Sequence, residues 1–156
     1  MPVQFNIRDI RITRINYLFH PERISQASTT NDALVSDSTE QDLQVHFSFK
    51  TEQPVESGEQ YLLKAYQGVD LSGNTEIPFS LMVEVGAIFV LDSLPPPEEL
   101  LRLQHVTCNA VLFPYLREAV SEITRRGGQT PVYLQPMNFL EMYRDGVFRR
   151  NTGSEE

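Results

Sequence analysis

The side chains best suited to acid–base or nucleophilic chemistry are three histidines and a single cysteine. His105 and Cys108 stand three residues apart and could form a thiol–imidazole pair. A reactive thiol needs an electropositive, partly open setting, and nothing in this apolar stretch supplies one. We therefore expect Cys108 to be buried and inert. His20 and His46 lie on other segments of the chain, so the sequence offers no converging set of reactive groups.

The sequence patterns of common catalytic and ligand-binding sites are missing. The chain has no glycine-rich phosphate loop and no HExxH, GxSxG or CxxC pattern. One cysteine also excludes an internal disulfide and a thiolate metal cluster within the chain. We expect neither catalysis nor a bound cofactor or metal.

Composition and charge narrow the class of binding partner. The 156 residues carry 13 Lys and Arg against 21 Asp and Glu, a formal net charge of −8. Because nucleic acids select Lys- and Arg-rich faces, we expect no nucleic-acid partner. No apolar run approaches the ~20 residues of a membrane helix. The N-terminal residues alternate like a strand and do not resemble a secretory signal, so we expect a cytoplasmic protein without membrane insertion.

Apolar alternation predicts four strands. The first covers residues 5–19, where the alternation changes phase near Asp9 and again near Thr13, which indicates bulges or burial on both faces. The other three are centred on residues 43–50, 61–69 and 79–89, and short turn-forming links join them into a meander. The link over residues 20–41 is long and polar, as functional or mobile connections often are.

Three prolines at positions 95–97 mark the end of the strands, and the pattern after them predicts helices. A short helix can begin at Pro97. The main helix has an apolar stripe and ends at Arg126, with Gly127 in a left-handed cap. Pro114 is either the first residue of that helix or a kink inside a longer helix from about Glu98.

A last short helix is marked by Asn138 and Glu141, which form a capping box, and it stops near Gly146. We expect one domain over residues 1–148 and a frayed tail over residues 149–156. A single sheet with so few helices cannot cover both of its faces, so apolar area is left for a partner. A second copy is the first candidate and a non-native polypeptide the second.

A string of short motifs narrows the choice further. In chain order they are Leu112-Phe113-Pro114-Tyr115-Leu116-Arg117-Glu118, Arg126-Gly127, Pro131, Leu134-Gln135-Pro136 and Asn138-Phe139. This order closely resembles the C-terminal half of the bacterial export chaperone family SecB, from about Val83 to Tyr143. Earlier residues match only in strand pattern. The resemblance implies an α+β fold, with a four-stranded antiparallel sheet and one long and one short C-terminal helix.

The resemblance also implies a function. SecB proteins are ATP-independent holdases that assemble as dimers of dimers, hold preproteins unfolded and pass them to the motor SecA. Carried over to this chain, the client-binding residues are Ile24, Leu34, Val35, Leu134, Met137, Phe139 and Met142. The residues of the homotetramer interface are Val83, Val85, Leu116, Val120 and Ile123.

One departure from the family concerns the surface that binds SecA. The family pattern places two acids at the end of the first strand, and Arg14 and Leu18 stand at those positions here. A third acid of that surface is retained as Glu84. We therefore expect weak SecA binding. Two other interpretations are a SecB-like chaperone dedicated to a toxin–antitoxin system, and an oligomeric adaptor that is not a chaperone.

Overall fold

Alternating apolar residues form one antiparallel sheet in the computed structural model, which describes residues 3–24 and 43–148. Its strands are β1 (Phe5–Phe19), β2 (His46–Thr51), β3 (Val55–Ser57), β4 (Gln60–Asp70) and β5 (Phe79–Leu91). The strand order is β1-β5-β4-β2, and β3 pairs with the start of β4. The four predicted strands and the meander are confirmed. Strand β3 was not predicted, because three residues are too few to show alternation.

Two register shifts interrupt β1, one between Ile7 and Asp9 and one between Ile12 and Arg14. Of the two explanations for the phase changes, bulges or burial on both faces, the structure shows the bulges. Each bulge adds one residue to β1 without a partner on β5, and this extra residue reverses which of the following residues face each side of the sheet. As a result, all four isoleucines of β1 pair with positions of β5 that point toward the helices.

The helical part follows β5 and lies on one face of the sheet. It comprises α1 (Pro97–Arg102), a π-helical turn (Leu103–Thr107), α2 (Cys108–Arg126) and the short α3 (Phe139–Arg144). Of the two positions open for Pro114, the structure shows the interior one, within α2. None of the helices that the structure describes combines the length and apolarity needed to cross a membrane.

The end of α2 differs from the prediction by one residue. Gly127 has φ −75°, and it is Gly128 that takes the left-handed conformation at φ +82°. Gly127 serves another purpose, since a Cβ there would clash with the hydroxyl group of Tyr17. The Tyr17 hydroxyl donates a hydrogen bond of 3.2 Å to the Gly127 carbonyl, which ties β1 to the end of α2.

Asn138 caps the start of α3 as predicted. The side-chain oxygen of Asn138 accepts a hydrogen bond of 3.1 Å from the backbone N–H of Glu141. Gly146, at φ +75°, lies just beyond the end of the helix.

The core lies between α2 and strands β4 and β5, the strands against which α2 mainly packs. We call this side of the sheet the helix face and the other side the open face. Large side chains of the helix face are fully buried: Leu63 and Val69 on β4, Val83 and Phe89 on β5, and Leu112, Leu116 and Val120 on α2.

A buried threonine fixes the chain that returns from α2. The Thr124 hydroxyl donates to the Val120 carbonyl at 2.9 Å and accepts from the Val132 N–H at 3.0 Å. We expect Thr124→Val to destabilise the fold by about 1–3 kcal/mol, because the Val132 N–H would be buried without a partner. Thr124→Ser is the matched control, since it keeps the hydroxyl and loses one methyl group, at a cost near 1 kcal/mol. Urea denaturation followed by circular dichroism measures both, and equal losses would contradict this account.

Candidate functional site

The edge strand β1 carries an apolar stripe that no helix covers. The β1 stripe consists of Ile7, Ile10, Ile12, Ile15 and Phe19, all on the helix face by their pairing with β5. Four of these side chains are 40–49% exposed, and only Ile10 is less so. A row of half-exposed β-branched residues on one edge is typical of a surface that meets another protein.

A concavity of about 270 Å³ continues the stripe toward α2. Its floor and walls are apolar, from Ile10, Ile12, Val85 and Ala119, and Tyr115 lines it from the helix. Glu118, Glu122 and Arg11 also line it. It can accept an apolar side chain of a partner, with charged groups beside it to orient the contact.

The residues predicted for the oligomer interface lie mostly beneath this surface. Val83, Val85, Leu116 and Val120 are at most 1% exposed in the single chain. They fill the space between α2 and the sheet, so these four side chains offer no surface for direct contact with a second chain. Ile123 is half-buried and packs against the core. A role of these five residues in assembly therefore acts through the packing of α2 on the sheet, and it stays a prediction.

A second group of aromatic rings lies where α3 meets β2 and the π-helical turn. We call it the C-terminal cluster: Phe49, His105, Phe113, Phe139 and Phe148. Phe139 packs edge-on against Phe49 at 5.9 Å and against Phe113 at 5.8 Å between ring centroids. The His105 ring stacks on Phe148 at 4.8 Å. The cluster anchors α3 to the sheet.

The predicted client-binding residues divide around this cluster. Leu134 and Phe139 are buried, because they form part of the core, whereas Met137 and Met142 are half-buried at its margin. Ile24 is exposed in the turn after β1. Leu34 and Val35 lie outside the described residues. The structure thus brings Met137, Phe139 and Met142 into one region and leaves Ile24 at the end of β1.

The chain between α2 and α3 runs extended beside α2. The Arg117 guanidinium donates from Nε to the Leu134 carbonyl at 3.0 Å and lies 5.6 Å from the Tyr133 ring centroid. Val132 and Leu134 point inward, while Tyr133 between them is exposed. Met137 and Tyr133 therefore present apolar area along a path that ends at α3.

Sequence reasoning missed the π-helical turn that orients His105. The Cys108 N–H bonds to the Leu103 carbonyl, five residues back. The Asn109 side-chain amide donates a hydrogen bond of 2.8 Å to the His105 backbone carbonyl. The Asn109 backbone carbonyl accepts one of 3.2 Å from the side-chain amide of the buried Gln67. The one available indication was a polar Asn109 inside an apolar helix.

The groups with reactive potential are held apart. Cys108 is fully buried, as predicted, and burial raises the pKa of its thiol to about 12, which disfavours the reactive thiolate. His20 bonds through Nε2 to the Ser80 hydroxyl at 2.8 Å. His46 lies on β2 and His105 in the C-terminal cluster. Among the described residues, no group of three or more His, Cys, Asp or Glu could hold a metal ion.

The three residues predicted for a SecA-like partner surface share the open face of the sheet. Arg14 pairs in register with Glu84, and Leu18 pairs with Ser80, which lies four residues before Glu84 on β5. Leu18 is 56% exposed. The structure therefore brings Arg14, Leu18 and Glu84 to one surface, on the side away from α2.

Protonation of His105 should loosen the C-terminal cluster. Burial lowers the pKa of His105 below its ordinary value of 6.5, so the folded chain holds the ring neutral more strongly than the unfolded chain does. This contribution to stability is present above the unfolded pKa and is lost as the pH falls from there through the lower folded pKa. We expect His105→Phe, which keeps a stacking ring, to lose less stability than the unmodified chain between about pH 7.5 and about pH 5.5. Urea midpoints at both values test this, and an unchanged pH dependence would refute it.

Comparison of the sequence with known proteins identifies related proteins. Residues 22–150 match the family described as Preprotein translocase subunit SecB. Protein-export protein SecB of Rhodospirillum centenum is 32% identical over 82 residues, which are 53% of this chain and 49% of that protein. That of Brucella ovis is 32% identical over 80 residues, 51% of this chain and 45% of that protein. The chain thus spans about half the length of the curated relatives it matches.

Solved structures agree on the fold. A SecB-like chaperone of Mycobacterium tuberculosis, solved with a peptide from an antitoxin, aligns with a TM-score of 0.55 over 86% of this chain and 88% of that one. A Streptococcus agalactiae protein of unknown function aligns with a TM-score of 0.52 over 87% of this chain and 100% of that one. At 20% and 9% identity these likenesses concern the fold alone. The predicted α+β fold is confirmed, and because the family match covers most of the sequence, the chain belongs to the SecB family.

Proposed function

We propose that this protein is an ATP-independent chaperone that holds non-native polypeptides in the cytoplasm and serves protein export. The single observation that carries the proposal is the match of residues 22–150 to the SecB family, and the apolar surface that the fold leaves exposed supports it. A folded chain that leaves such a surface uncovered needs a protein partner. Family membership supports the use of that surface for assembly and of further apolar surface for clients.

The two apolar regions suit different partners. The β1 stripe is built from isoleucines, whose branched side chains have few rotamers, so it presents a fixed shape that a second copy can match. The margin of the C-terminal cluster offers Met137 and Met142, whose flexible side chains adapt to varied partners. We assign the stripe and the adjoining concavity to a homotetramer, a dimer of dimers, and the methionine margin to clients.

The identity of the client and of the delivery partner is a separate question. The resemblance of the sequence implied delivery to SecA through acids on the first strand, yet Arg14 and Leu18 occupy those positions on the open face. Delivery to SecA is therefore not part of the proposal. A chaperone dedicated to a toxin–antitoxin system is the second candidate, favoured by this loss of acids. The polypeptides that co-purify with the chain distinguish the two: many secretory precursors, or one antitoxin.

Assembly through β1 should be separable from folding. Ile12 and Val85 pair in register on adjacent strands, but Ile12 is half-exposed and Val85 is buried. Ile12→Asp should leave the fold intact and split the tetramer, because its carboxylate would be buried only in the assembly. Val85→Asp should unfold the chain, because a buried unpaired carboxylate costs several kcal/mol. Analytical ultracentrifugation with circular dichroism separates these results. An unmodified chain that is monomeric at micromolar concentration would contradict the assignment.

The client margin makes a prediction about activity. The purified protein should suppress aggregation of an unrelated refolding protein without ATP, and should bind its unfolded form better than its native form. Met137→Ser together with Met142→Ser should weaken client binding by about 1–2 kcal/mol through lost apolar burial, measured by fluorescence anisotropy of a labelled unfolded client.

Two further variants control that experiment. Val55→Ser removes an exposed apolar side chain from β3 and should leave client binding unchanged. Phe139→Ser should instead cost the fold about 3–5 kcal/mol, because this ring is buried between Phe49 and Phe113. Equal binding of native and unfolded client would support the oligomeric adaptor in place of the chaperone.

A further inference from the structure

His20 is held apart from the other histidines and from Cys108, but it has a hydroxyl and a carboxylate of its own. Its Nε2 lies 2.8 Å from the Ser80 hydroxyl oxygen, and its Nδ1 lies 3.3 Å from the Glu22 carboxylate. A nucleophile, a base and a group that orients the base form the arrangement that activates a serine hydroxyl. Among the serines that the structure describes, only Ser80 has its hydroxyl bonded to a histidine ring.

The pairing of β1 with β5 brings the serine and the histidine together. The His20 N–H donates a hydrogen bond of 2.7 Å to the Pro78 carbonyl, so the register continues one residue beyond the Phe19–Phe79 pair. His20 and Ser80 are therefore diagonal neighbours on the open face of the sheet, a separation that a long side chain can span.

A tight turn directly after His20 brings the carboxylate back to the ring. Residues Pro21–Arg23 form a single 3₁₀ turn, closed by a hydrogen bond of 3.1 Å from the Arg23 N–H to the His20 carbonyl. The proline at its first position fixes the backbone angle φ there. The Arg23 guanidinium donates from Nη1 to the Ile77 carbonyl at 3.2 Å, which holds the turn against the chain that leads into β5. Glu22 is thereby positioned beside Nδ1 of the ring.

The glutamate determines which ring nitrogen can accept a proton. An ionised carboxylate only accepts hydrogen bonds, so Nδ1, beside Glu22, is the nitrogen that carries the ring proton. Nε2 then carries the lone pair, and the Ser80 hydroxyl donates to it. This is the orientation in which a general base can take the serine proton. The His20 side chain is 17% exposed, so the surrounding chain restricts the rotation of the ring.

Ser80 can be reached from solvent and has apolar neighbours. It is partly exposed on the open face, which no helix of the described chain covers. Leu18 pairs with it across the strands and is 56% exposed, and Met82 follows it on the same face of β5. These two side chains offer an apolar surface for the acyl or aryl group of an ester whose carbonyl carbon meets the serine oxygen.

The backbone at Ser80 limits what this arrangement can do. Bonded pairs recur at every second residue of an antiparallel ladder. Since His20 and Pro78 occupy one bonded position, Leu18 and Ser80 occupy the next, and the Leu18 carbonyl holds the Ser80 N–H. Enzymes that hydrolyse esters use free N–H groups to stabilise the oxyanion that forms during acyl transfer. Because the N–H of this serine is occupied, we expect transfer of an acyl group to the serine without rapid turnover.

We propose that Ser80 is an acylation site for activated esters, with His20 as its general base and Glu22 holding the imidazole in place. The serine oxygen attacks the ester carbonyl carbon and passes its proton to Nε2 of His20. The bond from that carbon to the leaving oxygen then breaks, and the leaving oxygen takes the bonding electron pair and the proton from Nε2. The products are a serine ester and a free alcohol or phenol. The site lies on the opposite side of the sheet from the surfaces assigned to assembly and clients, so it stands independently of the proposed function.

The test treats the full chain with p-nitrophenyl acetate. Mass spectrometry of peptides locates the acetyl groups and follows their formation with time. Hydroxylamine removes acetyl groups from serine oxygens but leaves those on lysine amines, which separates the two kinds of product. We expect about one hydroxylamine-labile acetyl group per chain, on Ser80, formed about a hundredfold faster than on any other serine because a general base assists it.

Variants identify the role of each residue. Ser80→Ala should abolish the ester, and His20→Gln should slow its formation about a hundredfold through loss of the general base. Glu22→Gln should slow it less, since the base is retained without the charge that orients it. Ser121→Ala is the matched control, because the Ser121 hydroxyl donates to the Glu118 carbonyl and its loss should change nothing. Circular dichroism checks that each variant is folded.

Ser80→Cys provides a second, independent measurement. A thiol beside His20 should react with iodoacetamide faster than an ordinary cysteine does, and Cys108 does not compete because it is fully buried. Three results would overturn the proposal. They are acetyl groups on amines alone, a Ser80 ester that forms at an unchanged rate in the His20→Gln variant, and a thiol at position 80 with ordinary reactivity.

Discussion

The width of a single helix determines which parts of this sheet are covered. An α-helix with its side chains is about 10 Å wide and strands are about 4.8 Å apart, so one helix covers about two strands. Helix α2 packs on β4 and β5, the two central strands. The π-helical turn and α3 lie beside β2. Strand β1 is left uncovered, and with only one layer of helices the open face is left uncovered as well. Both exposed surfaces follow from one limit on what 19 residues of helix can reach.

Local patterns in the sequence were sufficient for most of the elements, although not for the three-residue β3 or the π-helical turn. The alternation of β1 marked the two places where bulges occur, and the Asn138 cap predicted the start of α3. These features depend on neighbours in sequence, so their chemistry can be read directly. The cap of α2 could not be read in this way. Gly127 lies against Tyr17, a residue 110 positions away, and the left-handed conformation passes to Gly128.

The candidate site was harder to predict for the same reason. The period of α2 and β5 marks which side of each element is apolar, but it does not say whether a helix of the same chain covers that side. Val85 and Ile12 have similar side chains in adjacent strands, yet one is core and the other surface. The difference arises from the order β1-β5-β4-β2, which places β1 at an edge. Likewise, Phe139 and Met142 are near in sequence, but Phe139 is buried between Phe49 and Phe113 whereas Met142 is half-buried.

The two bulges of β1 link the two surfaces. In a regular strand, residues of odd and even number point to opposite faces. Ile7, Arg11 and Ile15 would then share one face, and Ile10, Ile12 and Arg14 the other. The extra residues before Asp9 and before Arg14 change the phase twice, so that all four isoleucines point to the helix face. The same change leaves both Arg11 and Arg14 at open-face positions by register, and Arg11, at the sheet edge, also lines the concavity beside α2. The edge strand therefore gathers its isoleucines on one face, and removing either bulge would divide them between the two faces.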